Sequence, residues 1–168
     1  MSYLTEFHEC VKDLSTSETV LQMDEFIQHG DITTLEHVVA VAYTSFVVAK
    51  KTGANARLAA RGAMMHDLYL YDWHIKDWSQ RPPLTHGFTH PATAAKNAEK
   101  YFTPTKEEVK IIRSHMWPLT PFHIPTSWEA LIVTLSDKYC ATNETLGIYD
   151  DSKQRKTIKK YLKQIRKK

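Results

Sequence analysis

The chain has 168 residues, a length that suits one domain with a sizeable core. Apolar residues make up 42% of it, with six Phe, four Trp and eight Tyr, which excludes a disordered chain too poor in apolar surface to offset its ordering entropy. The net charge of +3 is uneven: residues 151–168 hold nine Lys or Arg against one Asp, a balance of +8, so the first 150 residues carry −5. The body is therefore no polyanion-coating surface, and any attraction for nucleic acid belongs to the tail.

The start, MSYLTEFHECVKDL, has acidic residues and no continuous apolar run like that of a signal peptide, and no later segment approaches about 18 uninterrupted apolar residues. A cytoplasmic location without membrane attachment is expected. Cys10 and Cys140 form no CxxC pattern, so they read as structural thiols rather than a disulfide framework or a thiolate zinc site.

Apolar residues recur at helical spacing from end to end, which predicts an all-α domain spanning 1–168, a single compact bundle of about six to eight helices without strands. Short helices are expected at 3–13 and 18–28, the second ended by a turn at His29-Gly30-Asp31. A long helix follows from Thr34 to Lys51, with Leu35, Val38, Val41, Ala42, Ser45 and Val48 on one side, His37 in its first turn and Gly53 past its end. Asn55 is placed to cap the next helix, whose Ala59, Gly62 and Ala63 permit close packing and which leads to His66-Asp67. From Asp72 to Gly87 the text is polar, aromatic and broken by Pro82-Pro83, as in a loop walling a cleft.

His90-Pro91 is expected to start a helix, since proline suits the first helical position. Thr105 and Glu108 make a capping box for a helix with His115 at its exit, and Thr126 and Glu129 repeat that signature before Ala130-Leu131-Ile132-Val133. Asp137 then falls inside a largely buried helix, where a carboxylate needs a cation. Finally Ile158, Tyr161, Leu162 and Ile165 stand at i, i+3, i+4 and i+7, the stripe of a helix that docks and leaves its lysines in water.

His and Asp residues thus sit on several helices or helix ends, as they do where a metal is built into a bundle interior. Their order, His37, His66-Asp67, His90, His115, Asp137, resembles the HD superfamily of metal-dependent phosphohydrolases, whose signature is H…HD…D, often with two histidines between. The contexts LEHVVAVA, ARGAMMHDL, HPATAAKNAEKYF, EEVKIIRSHMWPL and ALIVTLSDKYCA extend the resemblance over about residues 33–144, with the helices of 1–30 and 151–168 packed on that core. The resemblance implies that His37, His66, Asp67 and Asp137 hold one divalent ion and that His90 and His115 hold a second, with Asp67 bridging. These N and O donors are compatible with Fe, Mn, Co, Zn or Mg. Two such ions about 3.5–4 Å apart supply a hydroxide at neutral pH and polarise a phosphoryl oxygen, so no protein nucleophile is needed. Consistently, the chain has no GxSxG elbow, P-loop glycine pattern or HExxH.

A small phosphorylated substrate, a phosphate ester or a nucleotide, would need cations beyond the metals. Lys138 and Arg113, which neighbour ligand positions, are candidates for catalytic contact alongside Asp67, and Arg61 and His86 for substrate binding. Trp73, Trp78, Phe88 and Trp117 offer ring faces to a base. The two extra histidines also resemble HD proteins that hydrolyse dinucleoside polyphosphates. Two other readings are a di-iron oxygenase of the same superfamily, and a binding module in which the tail KQRKTIKKYLKQIRKK touches RNA or acidic lipid.

Overall fold

The computed structural model describes residues 2–72, 74, 86–149 and 152–167. Helix α1 (Tyr3–Ser15) starts where the Ser2 hydroxyl accepts from Thr5 N and buries Phe7, Val11 and Leu14. A short α2 (Glu18–Leu21) tightens into a 3-10 turn (Gln22–Glu25) and does not run to residue 28 as the periodicity suggests. Instead the backbone extends at Phe26 and forms an antiparallel hairpin, β1 (Ile27–His29) with β2 (Ile32–Thr33), so strands are needed after all. The turn is Gly30-Asp31, and Gly30 takes a positive φ of 57° that favours glycine.

The hairpin feeds α3 (Thr34–Thr52), capped by the Thr33 hydroxyl and ended by Gly53 in the left-handed region. Every residue from Leu35 to Ala42 is buried, so α3 is a central helix wrapped on all sides rather than one with a single apolar face. Helix α4 (Ala56–Met65) begins at the Asn55 cap, packs against α3 and buries Ala59, Ala60 and Ala63. Its Gly62 meets α6 so closely that a Cβ there would stand 2.7 Å from Ile111 Cγ2.

Helix α5 (His86–Tyr101) begins four residues earlier than expected, leaving Pro91 inside it. The missing proline N–H forfeits one helical bond, and the added turn brings the carbonyl of His86 within reach of the His90 ring. Of the expected loop, residues 73 and 75–85, including Trp73, Trp78 and Pro82-Pro83, lie outside the described residues, while His86 and Gly87 are helical. Helix α6 (Lys106–Ser114) opens on the Thr105/Glu108 capping box. Helix α7 (Trp128–Thr145) is capped by Ser127 rather than Thr126, while Glu129 accepts from Asn55 N and pins the start of α7 to the start of α4.

Helix α8 (Lys153–Ile165) returns across the bundle and buries Ile158, Tyr161, Leu162 and Ile165. Arg155 within it is engaged by Glu36 and Asp31, and Arg166 at its C-cap by Asp24. The architecture is an all-α bundle with one small hairpin, eight α-helices among the described residues. None of these helices is long and apolar enough to cross a membrane.

Candidate metal centre

Four imidazoles and two carboxylates converge where α3, α4, α5, α6 and α7 meet, and all six side chains are buried. His37 comes from the first turn of α3 and Asp137 from the middle of α7. His66 and His115 are the C-caps of α4 and α6, and His90 lies near the start of α5. Helix ends suit this task, because their last carbonyls lack intrahelical donors. The Nδ1–H of His66 donates to Ala63 O at 2.7 Å, that of His115 to Ile112 O at 2.7 Å, and that of His90 to His86 O at 2.9 Å. A carbonyl can only accept, so in each ring the proton sits on Nδ1 and Nε2 is free to present a lone pair inward.

His37 is fixed differently: its Nδ1 donates to Glu144 Oε2 at 2.8 Å, while Nε2 lies 3.2 Å from Asp137 Oδ1. Burial pushes its pKa down, but Glu144 and Asp137 outweigh burial and hold it well above the ordinary histidine value. His115 shows the opposite balance, with burial and then the neighbouring His66 and His90 lowering it to about 3, so it stays neutral. Burial works to raise Asp67 and Asp137, yet the surrounding imidazoles, His66 foremost for Asp67 and His37 for Asp137, hold both well below the usual carboxylate range. Two ionised carboxylates thus lie largely buried side by side, which demands compensating positive charge.

The oxygens of Asp67 are divided between two pairs of rings. Oδ1 lies 3.2 Å from His90 Nε2 and 3.5 Å from His115 Nε2, while Oδ2 lies 3.5 Å from His66 Nε2 and 3.8 Å from His37 Nε2. Asp137 Oδ1 completes the second group at 3.2 Å from His37 and 3.6 Å from His66. Despite this crowding, His66 Nε2 and Asp67 Oδ1 are buried without a hydrogen-bond partner. His90 Nε2 and His115 Nε2 face one another at 2.8 Å. With both protons on Nδ1 that contact sets lone pair against lone pair, and a shared cation turns it into coordination. The donor set therefore fits divalent metal, with N and O ligands only. The nearby Cys140 adds no thiolate, since burial pushes its thiol up to about 11.

A cleft of about 260 Å³ among the described residues exposes Asp67, His90, His115 and Asp137, with Gln28 and His29 on the hairpin side and His86 and Lys138 also lining it. Lys138 Nζ donates to His115 O at 3.0 Å and lies 3.5 Å from Asp137 Oδ2. His86 stacks on His90 at 4.6 Å and an interplanar angle of 19°, and its Nδ1 lies 3.0 Å from the Tyr71 hydroxyl. Arg61 does not line the cleft. Its guanidinium is committed to Glu108 and Asp13, at 2.7 Å each, and ties α4 to α6 and α1. Arg113 is exposed on α6, and Trp117, like Phe88, does not line the cleft.

Sequence reading missed the groups that orient this centre. Glu144 stands seven residues beyond Asp137, two turns along the same helix face, and a buried acid at that spacing was a usable signal. Gln28 and His29 gave none while the segment before α3 read as helix, and Tyr69, in the turn after α4, gave none by residue type.

The HD domain family model matches residues 34–142, the span that contains all six converging residues. The chain belongs to the HD domain family, whose members are generally metal-dependent phosphohydrolases that bind divalent metals. No curated protein and no solved structure matches it.

Proposed function

We propose that this protein is a phosphohydrolase that uses two divalent cations on a small phosphorylated substrate, a phosphate ester or a nucleotide. The observation that carries the reading is the division of Asp67, one oxygen toward His90 and His115 and the other toward His37 and His66. A carboxylate so placed suits a bridge between two ions. His37, His66, Asp137 and Asp67 Oδ2 would hold one ion, and His90, His115 and Asp67 Oδ1 the other. Ions bound there supply an activated water and draw charge from a phosphoryl oxygen.

The chain's own residues do the rest. Backbone carbonyls and Glu144 fix the rings so that Nε2 points inward. The cleft admits a phosphoryl group to Asp67 and Asp137, and Lys138 at its edge offers an ammonium to the remaining phosphate oxygens. His29 and His86 add ring nitrogens for the body of the substrate.

The test is a panel of nucleotides, dinucleoside polyphosphates and simple phosphate esters, assayed for phosphate release with Mn, Fe, Co, Mg and Zn. Asp67→Ala should reduce release to background, and activity unaffected by that substitution would sink the reading. Lys138→Ala should raise KM roughly tenfold, the loss of one charge-assisted hydrogen bond worth about 1.5 kcal/mol, with metal content unchanged.

A further inference from the structure

Gln28 is not part of the H…HD…H…H…D pattern, yet its side chain hydrogen-bonds the central carboxylate of Asp67. From β1 its Nε2 donates to Asp67 Oδ2 at 2.9 Å, and the side chain is buried. An amide can present either its NH2 or its oxygen, and an ionised carboxylate, which only accepts, takes the NH2. Gln28 Oε1 accepts from the Tyr69 hydroxyl and from Thr34 Oγ1 at 3.2 Å, and those two hydroxyls are themselves 3.2 Å apart. Both hydroxyls donate to the oxygen turned away from the carboxylate and so brace the amide with its NH2 toward Asp67.

Three segments meet in this clamp: the hairpin through Gln28, the first turn of α3 through Thr34, and the turn after α4 through Tyr69, two residues past Asp67. Its effect falls on the rotation of the Asp67 carboxylate about its last bond. That torsion is broad, so an unrestrained Asp67 can turn both oxygens toward one pair of rings. With Nε2 of Gln28 bound to Oδ2, Oδ2 is kept on the His37/His66 side and Oδ1 stays on the His90/His115 side without a hydrogen-bond partner.

We infer that Gln28, locked by Tyr69 and Thr34, is a positioning residue that holds Asp67 in its bridging orientation and so makes the His90/His115 position competent for a second divalent cation. The inference rests on the two-ion reading proposed above. It assigns the hairpin a function, delivery of one amide to the centre of the site, and predicts that the two ions respond unequally when that amide is lost. The position served by His37, His66 and Asp137 keeps three ligands of its own, whereas that of His90 and His115 depends on Asp67 for its carboxylate.

The experiment titrates metal-free full-length protein with Co(II), following heat and visible absorption to give the number of ions and each affinity. The parent should bind two. Gln28→Met removes the donor at nearly the same length; it should keep the first ion within a few-fold and weaken the second about 10- to 100-fold, the usual effect of losing a ligand's supporting hydrogen bond. Tyr69→Phe, which removes only the hydroxyl behind the amide, should shift the second ion in the same direction by a smaller factor, and it tests the inference should Gln28→Met fail to fold. Two ions bound with parental affinity by both variants overturn the inference alone, as does an equal weakening of both ions, which marks a merely structural role. A parent that binds a single ion, with a titration unchanged by His90→Ala, overturns the two-ion reading and the inference with it.

Discussion

Glu144 is the acidic residue on which the tautomer of His37 depends. Its Oε2 accepts from His37 Nδ1, leaving Nε2 to face Asp137, a role that backbone carbonyls fill for the other three rings. Glu144→Gln keeps the shape but replaces a carboxylate by an amide that can turn its NH2 toward the ring and favour the wrong tautomer. Metal affinity should fall about 10- to 100-fold, as expected when the partner behind a ligating histidine is lost. Competition with a chromophoric chelator measures this, and unchanged affinity would show that His37 is held by packing alone. The residue scale was legible for the six converging side chains, because their types and order survive in one dimension. Gln28 and Tyr69 were not, because a neutral amide and a phenol carry no signature until a fold sets them against a carboxylate.

At the scale of elements, the helix ends do most of the positioning. α4 and α6 deliver His66 and His115 from their last turns, and the two helices are locked together where Gly62 meets Ile111. Gly62→Ala adds a Cβ 2.7 Å from Ile111 Cγ2 and 2.9 Å from its Cδ1. The resulting overpacking should cost about 1–3 kcal/mol, against a gain of about 1 kcal/mol in helix propensity, for a net loss. Ile111→Ala removes both crowding atoms, so it should cost less in the Gly62→Ala background than in the parent, a coupling read from denaturant titrations of the four proteins. Additive effects would mean that the helices separate freely. The caps at Asn55 and Thr105 were readable because capping is local chemistry. The hairpin was not, although Gly30-Asp31 is a recognisable turn signal; the apolar residues before it also fit a helical period.

Across the whole molecule, the basic last helix is bound into the fold. Tyr161 packs edge-on against Phe7 at 5.4 Å, its hydroxyl donates to Ser15 Oγ at 2.9 Å, and His8 Nδ1 lies 3.0 Å away. Burial pushes this hydroxyl up to about 12, against a weaker opposing effect of Ser15. Its folded pKa lies above its unfolded value near 10, so the stability it contributes is full below about pH 10 and is lost as pH rises through about 12. Tyr161→Phe should lower stability at pH 7 by about 1–2 kcal/mol, and the gap from the parent should narrow between pH 10 and 12. Denaturant midpoints across that range measure it: no gap at pH 7 would show that the hydroxyl contributes nothing, and a gap that does not change with pH would show that burial leaves its titration unshifted.

The sequence by itself determined the helical class, the family and the identity of the converging side chains, since periodicity, caps and ordered His and Asp residues are properties of the chain read along its length. It equally fixed the docking face of α8, whose four apolar positions are buried as their spacing requires. Tertiary structure alone decided how the two oxygens of Asp67 are divided between pairs of rings, that Arg61 is spent on Asp13 and Glu108 rather than facing the cleft, and that Gln28 stands behind the central carboxylate. The placements of Arg61 and Gln28 depend on the direction of a side chain relative to groups 39 to 48 positions away in the chain, and that of the Asp67 oxygens on rings carried by four different helices, so direction is settled only when the helices pack.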